Sequence, residues 1–526
     1  MTKLIAQWKN SLLVGLLIII TGALLRFYNL NALPIFADEA IYVRWSQVMR
    51  AEPTLRFLPL SDGKQPLFMW IVIPFMKVIA DPLIAGRVVS GLAGVSTIVA
   101  VFVLSYLLFK SKYVALISSY IYSLSPFAVF FDRMALVDSL LSMFGVWIVV
   151  LSILTIRYLR LDMAMITGFL LGGALLTKST ATFFAMLIPT TVLVNKLPDK
   201  KRGVFYLKMS FLWVVIVVMG FAIYNILRLG PNFNLLVSRT KDYVYPLSHI
   251  ISSPLDPLKP YLDRSLEYYT MLGPGLIVIF SLFALLGNYK KFPKQILLLL
   301  VWIVFPIFVV SGLSKTLTAR YILFTLPFVC VLASSSFLLS NERPGLKLKV
   351  RDVLLFGLFI FTLISLKSDY YIVTNPSKVN LPRSERSGYL EEWTAGGGIK
   401  EASNVIRAKY NSDPSKKIVV GTEGYFGTLP DAMQVYLNDL PEITVIGVGL
   451  NFLEVPIQLI ESFQAGNQTY LVVNSSRFKS DPEDIGLELV QSWIKADRPM
   501  NTREYVQHGL HDTLYLFQVS EVKNRQ

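Results

Sequence analysis

The chain has 526 residues, 54% of them hydrophobic, and a formal net charge of +15. A mean hydropathy of +0.54 is too high for an ordinary soluble globular protein. Three histidines and one cysteine exclude a disulfide framework and leave no cysteine-based metal site.

Apolar runs of about 17–25 residues, the length that crosses a bilayer as helix, recur over the first 370 positions. The expected spans are 10–28, 85–109, 113–131, 135–156, 162–177, 180–196, 207–227, 272–288, 296–312, 320–339 and 352–367, about eleven in all. The N-terminal run continues to Leu25-Arg26-Phe27 without a small-residue cleavage site, so it reads as an uncleaved span. Alternate connections carry the cations: Lys110 and Lys112, Arg157 and Arg160, Lys196 to Arg202 with Lys208, Lys290 to Lys294, and Arg343 to Arg351. With Lys3 and Lys9, they place the N-terminus and these loops in the cytoplasm of a multi-pass protein of the cell membrane. The excess of cations is thereby explained without nucleic acid as a partner. The run 66–80 is short and broken by Pro74, which predicts an external juxtamembrane helix rather than a span. Residues 29–84 then form one external loop, and 228–270 form a second.

Composition changes after about residue 368. Strand-like runs at 417–421, 443–448 and 470–474 alternate with helix-like ones, predicting a soluble extracytoplasmic α/β domain over 368–526. The fold class is thus a polytopic α-helical membrane domain, 1–367, followed by that α/β domain.

On this topology one set of charged residues shares the outer face. The first loop supplies Asp38, Glu39 and Lys64, and Arg87 opens the second span. Later connections supply Asp132, Arg133, Asp138, Lys178, Lys315, Arg320 and Tyr321. Carboxylates beside a membrane are costly and usually mark a substrate path or a reacting centre. Arginine offers a phosphate a bidentate fork and lysine a point charge. Transfer of a sugar from a lipid phosphate needs a base for the acceptor hydroxyl and positive charge on the departing phosphate. Each residue also has a plainer reading. Asp38 would pair with Arg44 or Arg87, Asp138 would cap a helix, Lys178 and Arg320 would reach to headgroups, and Lys315 reads as solvated.

The segments A-D-E-A at 37–40, G-K-Q-P-L-F at 63–68, G-R-V-V-S-G-L-A-G at 86–94, D-R-M-A-L-V-D-S-L-L at 132–141, G-A-L-L-T-K-S at 173–179 and A-R-Y-I-L-F-T-L-P-F at 319–328 follow one another in order. In this arrangement the chain resembles the C-type glycosyltransferase superfamily, specifically the family 39 group. That group contains the dolichyl-phosphate-mannose protein mannosyltransferases and the bacterial lipid A aminoarabinose transferases. The likeness covers about residues 10–340. It implies a polyprenyl-phosphate-linked monosaccharide donor and inverting transfer to an extracytoplasmic protein, lipid or glycan. It makes Asp38 the leading base with Glu39 beside it, puts Lys64, Arg87, Arg133, Lys178 and Arg320 on the donor phosphate, and gives Asp138 and Tyr321 the orientation of substrate. No cofactor is required. A divalent metal held by Asp38 and Glu39 is the alternative, with too few companion ligands to favour it. A pyrophosphate-dependent ligase or polymerase of the same architecture, and a lipid or sugar transporter, are the rival functions.

In the soluble part, the glycines of V-V-G-T-E-G at 419–424 follow a strand but match no dinucleotide or Walker pattern, and read as a tight turn. Tyr389, Trp393 and Tyr425 are of a type that stacks on sugars, with core packing the stronger reading. The sequons at 467–469 and 474–476 are of a kind common by chance.

Overall fold

The computed structural model describes residues 2–196, 198, 200, 202–341 and 347–521. Residues 197, 199, 201 and 342–346, which belong to two of the basic loops, lie outside that description. The chain divides into two compact units. The first holds residues 1–30, 52–71 and 87–374, and the second holds 31–51, 72–86 and 375–526. The sequence assigns 29–84 to the membrane part and starts the soluble part at 368. In the structure most of that first loop belongs to the same unit as the C-terminal domain.

The helices up to residue 224, in chain order, are α1 (Thr2–Phe27), α2 (Ala37–Ala51), α3 (Leu67–Phe75), α4 (Pro82–Phe109), α5 (Lys112–Leu124), α6 (Pro126–Asp132), α7 (Val137–Tyr158), α8 (Leu161–Thr177), α9 (Thr182–Leu187) and α10 (Arg202–Tyr224). Helices Leu258–Met271, Leu276–Asn288, Pro293–Leu313, Leu326–Ser335 and Lys347–Thr374 complete the first unit's long elements. Each of the expected apolar runs falls on helical segments. Among the described residues six helices are long and apolar enough to cross a membrane, or up to eight if each bent pair is one span. The bends have local causes. Pro126 breaks the run 113–131, where α5 and α6 meet at 56°, because proline removes a helical donor and restricts the residue before it. The Gly273-Pro274-Gly275 break turns its two helices by 105°. With nine residues, α3 is about 14 Å long, less than half a hydrocarbon core of roughly 30 Å.

The second unit is built on a five-stranded sheet of β3 (Ile418–Glu423), β4 (Ile443–Gly449), β5 (Gln468–Asn474), β6 (Leu487–Ile494) and β7 (Thr513–Val519), ordered β4-β3-β5-β7-β6. The first three are parallel, with helices Thr428–Leu437 and Ile457–Gln464 as crossovers, and β7 runs antiparallel to β5 and β6. Val448, Leu459, Leu471, Val473 and Phe517 form the core on one face. A Cβ at Gly421 would come within 2.7 Å of Leu459, so this glycine lets the second crossover helix sit against the sheet. Gly424 has φ +75°, and the turn after β3 requires it. At the strand ends Asn474 donates from its backbone N–H (2.8 Å) and from Nδ2 (2.7 Å) to the carboxylate of Glu423. Burial holds that carboxyl above its ordinary range, against those two bonds. Nearby, burial pulls the Lys495 ammonium down while Asp512, 3.2 Å away, supports it.

The N-terminal contribution to this unit is specific. The short strand β1 (Ile35–Phe36) pairs antiparallel with β2 (Ala395–Gly396). Helix α2 lies against helix Thr428–Leu437, with Arg44 donating to Gln434 (3.0 Å) and Asn438 (2.5 Å).

Candidate active site

Asp38 and Glu39 occupy the first turn of α2, where the positive end of the helix dipole favours carboxylates. They part company there. Glu39 is fully buried, and its Oε2 accepts the backbone N–H of Phe36 at 3.0 Å. This is the return half of a capping box, the third helical residue closing on the N-terminal cap. Strand pairing and a bond from Ala37 N to the Thr394 carbonyl, 3.1 Å, fix where the helix begins. Asp38, one residue earlier, is half-buried. Phe36 also packs on Tyr389, ring centroids 4.4 Å apart, which makes Tyr389 a core residue. Trp393 and Tyr425 are exposed, and Trp393 lies 5.1 Å from the Arg477 guanidinium.

Within the first unit, three connections converge. Asp138, in the first turn of α7, is buried. Its Oδ1 accepts from Lys178 Nζ at 2.6 Å, and its Oδ2 lies 4.0 Å from Arg320. Lys178 follows α8 in extended backbone (φ −160°, ψ 143°), so its side chain leaves the helix direction and turns to α7. Thr318 is likewise extended ahead of the 3₁₀ turn Ala319–Thr325 that carries Arg320. Tyr321 joins the group, its ring 4.4 Å from the Lys178 ammonium and 5.6 Å from the Arg320 guanidinium. Asp138, Lys178, Arg320 and Tyr321 are therefore one cluster.

The Lys64 loop is tied to the same place. Gln65 Nε2 donates to Ser179 Oγ at 2.7 Å, next to Lys178. Lys64 itself pairs with Asp62 at 3.3 Å, and Arg239 approaches the same carboxylate at 3.6 Å. Between them Gly63 has φ +67°, and a Cβ there would press within 2.6 Å of Arg239. The second expected loop lies over the connection that carries Arg320: Tyr261 and Tyr268 donate to the carbonyls of Lys315 and Leu317, at 2.8 and 3.1 Å. Asp62, Gln65 and Arg239 were not singled out in the sequence. Asp62 was legible as a carboxylate two residues before Lys64, whereas the Gln65 contact spans 114 positions and had no local signal.

Arg87 and Arg133 are placed differently. Both are fully buried. Arg133 donates to three backbone carbonyls at the end of α1, those of Leu25, Tyr28 and Asn29, at 2.7–2.8 Å. Arg87 donates to the Leu30 carbonyl at 2.5 Å. Arg133 thus binds carbonyls at and just past the end of α1, of the kind a helix end leaves unpaired, and Arg87 binds the first carbonyl of the 3₁₀ turn Leu30–Ala32. Arg26 pairs with Asp132 at 2.8 Å, both fully buried, and the buried Asp369 carboxylate is within electrostatic reach of Arg26 and Arg133. Among the described residues no group of three or more His, Cys, Asp or Glu is placed to hold a metal ion.

Residues 63–224 match the family model described as dolichyl-phosphate-mannose-protein mannosyltransferase. No curated protein matches the chain significantly. Among solved structures, it is similar to ArnT from Cupriavidus metallidurans in the apo state, with a TM-score of 0.54 at 12% identity over 95% of this chain and 97% of that one. The same protein bound to undecaprenyl phosphate gives 0.53, at the same identity and coverage. The oligosaccharyltransferase of Archaeoglobus fulgidus, tethered with an acceptor peptide containing the NVT sequon, gives 0.50 at 12% identity over 89% of this chain and 69% of that one. At such identity these likenesses speak to the fold.

Proposed function

We propose that this chain, a membrane glycosyltransferase of the C-type superfamily resembling the family 39 group, moves one sugar from a polyprenyl phosphate to an acceptor outside the cytoplasm. The observation that carries the reading is the convergence of Lys178 and Arg320 on buried Asp138, with the Lys64 loop tied beside them through Gln65 and Ser179. Two cations held by one carboxylate form a preorganised receptor for a phosphate that gains charge as it leaves. ArnT, which has this fold, is crystallised with undecaprenyl phosphate, and that supports the donor class.

In the reaction the acceptor oxygen attacks the anomeric carbon as the bond from that carbon to the phosphate oxygen breaks, with inversion. Asp38 takes the acceptor proton. Lys178 and Arg320 receive the phosphate, and Asp138 sets their direction. Tyr321 backs Lys178. Lys64 serves the donor from its own loop. Arg133 holds the end of α1, Arg87 holds the turn that follows it, and Glu39 caps α2, so on this reading these three position structure. The N-terminus and the basic loops are cytoplasmic, and the site and the C-terminal domain are extracytoplasmic.

The test is transfer by the purified full-length chain in detergent from undecaprenyl- and dolichyl-linked sugars, each offered as monophosphate and as pyrophosphate. Release of polyprenyl phosphate coupled to sugar transfer from the monophosphate is the expected result. Use of the pyrophosphate alone assigns the chain to the ligase class, and movement of lipid or sugar without transfer makes it a transporter.

A further inference from the structure

The second unit contains a cavity of about 600 Å³ that the transfer chemistry does not use. It lies at the C-terminal end of α2, between Gln47, Arg50 and Ala51, the segment 76–82, helix Ile399–Ser412 and the end of helix Thr428–Leu437. Its size is within the range of small-molecule sites. One wall is apolar, made by Met76, Ile79, Ala80, Pro82 and Val435; the other is polar, made by Gln47, Arg50, Asn404, Arg407, Asn438 and Asp439.

The charges on the polar wall are largely settled within the protein. Asp439 takes both guanidinium ends of Arg407, at 2.6 and 2.7 Å. Asp81 is paired with Lys400 at 2.7 Å. Gln47 is engaged by Arg44 and the Val435 carbonyl, and Asn438 Oδ1 by Arg44. What the wall presents beyond these is the Asn404 amide, Nδ2 of Asn438 and Arg50, whose described hydrogen bond goes to the Met76 carbonyl at 2.9 Å. Neutral donors and acceptors facing an apolar wall suit a ligand with hydroxyls on its edge and C–H groups on its face. A free phosphate or a nucleotide would need more than the one cation, Arg50, that no carboxylate holds among the described salt bridges, and a lipid tail would need apolar walls throughout.

We propose that this cavity binds an uncharged oligosaccharide, the remote part of a carbohydrate acceptor. The inference rests on the transferase reading above. Asp38 stands at the opposite end of the same helix, twelve positions from Arg50, so about 18 Å away along the axis. A sugar in the cavity is therefore not the reacting one. Its binding energy serves to align the reacting end of the same chain, as remote contacts do in many enzymes.

The test is direct binding of mannotriose, chitotriose and cellotriose to the full-length chain in detergent, read by saturation-transfer NMR and by thermal shift without donor. Ala80 and Asn404 are exposed cavity residues, so Ala80→Trp and Asn404→Trp fill the space without disturbing the core, and folding is checked by the unchanged melting temperature of the free protein. At least one trisaccharide is expected to bind the wild type and to bind both variants at least about tenfold more weakly. Asp38→Asn is expected to bind like the wild type. Failure of all three sugars at 10 mM, equal binding by the tryptophan variants, or binding of a Ser/Thr tripeptide in their place overturns the cavity assignment. Loss of the transferase reading appears separately, as absent transfer with sugar binding intact.

Discussion

The carboxylate of Asp138 lies 2.6 Å from the ammonium of Lys178 across 40 positions of sequence. Arg320 approaches the other oxygen of the same carboxylate from 4.0 Å. The two pairings are unequal, and Lys178 is the cation in direct hydrogen-bond contact with the carboxylate.

Lys178→Met is therefore expected to lower kcat/KM for the donor by about 100-fold, the scale for losing one preorganised donor to a developing charge. Lys178→Arg keeps the charge but exchanges a point for a planar fork, and should retain an intermediate rate. Single-turnover transfer with a labelled donor measures both. A Lys178→Met enzyme as fast as wild type would remove the phosphate role.

The two neighbouring acids separate under substitution. Asp38→Asn should leave less than about a tenth of transfer with the melting temperature unchanged, because the base is lost and the fold is not. Glu39→Ala should lose about 1 kcal/mol of stability, the usual worth of a helix cap, and Glu39→Gln, which still accepts the Phe36 N–H, should keep transfer within a few-fold of wild type. Transfer rates beside thermal unfolding curves tell these outcomes apart, and a catalytic collapse in Glu39→Gln would reverse the assignment.

Arg26 and Asp132 form a fully buried ion pair. Arg26→Met alone should cost roughly 3–5 kcal/mol, because it strands a buried carboxylate, whereas Arg26→Met with Asp132→Leu should recover most of that loss. Thermal stability of the detergent-solubilised singles and the double completes the cycle. A single mutant as stable as wild type would show that the pair holds nothing together.

Glu423 supplies a pH signature. Burial raises its folded pKa above the ordinary 4.5, so between 4.5 and the folded value the native state binds more protons than the unfolded one. Stability then falls as pH rises through that window, and the contribution is present in full only below it. Glu423→Gln, which cannot titrate, should flatten the slope of melting temperature against pH from 4.5 upward. An unchanged slope would mean that other groups set it.

Much of this is legible in the sequence alone. The apolar runs fall on helices, and the three strand-like segments at 417–421, 443–448 and 470–474 fall on β3, β4 and β5, because bilayer length and strand alternation are local signals. Lys178, Arg320 and Asp138 were grouped by loop position alone, and they meet. What local pattern could not convey is direction. Arg320, which faces a carboxylate, and Arg133, which faces backbone carbonyls, look alike in sequence. The capping bond of Glu39 depends on a turn geometry that its adjacency to Asp38 does not reveal. The division into units was least legible, since it rests on pairings such as Ile35 with Gly396.

Those long-range pairings have a consequence for biosynthesis. Arg44 and Gln434, which join α2 to its partner helix, are 390 positions apart. At about 5–20 residues per second the ribosome needs roughly 20 to 80 seconds to make the second after the first. A fifteen-residue helix is marginal by itself in water. The segment bearing Asp38 thus emerges early and waits without its docking surface, and a nascent chain halted before residue 434 carries Lys178 and Arg320 but an α2 without its complete partner helix. The timing of competence is written into the chain's connectivity.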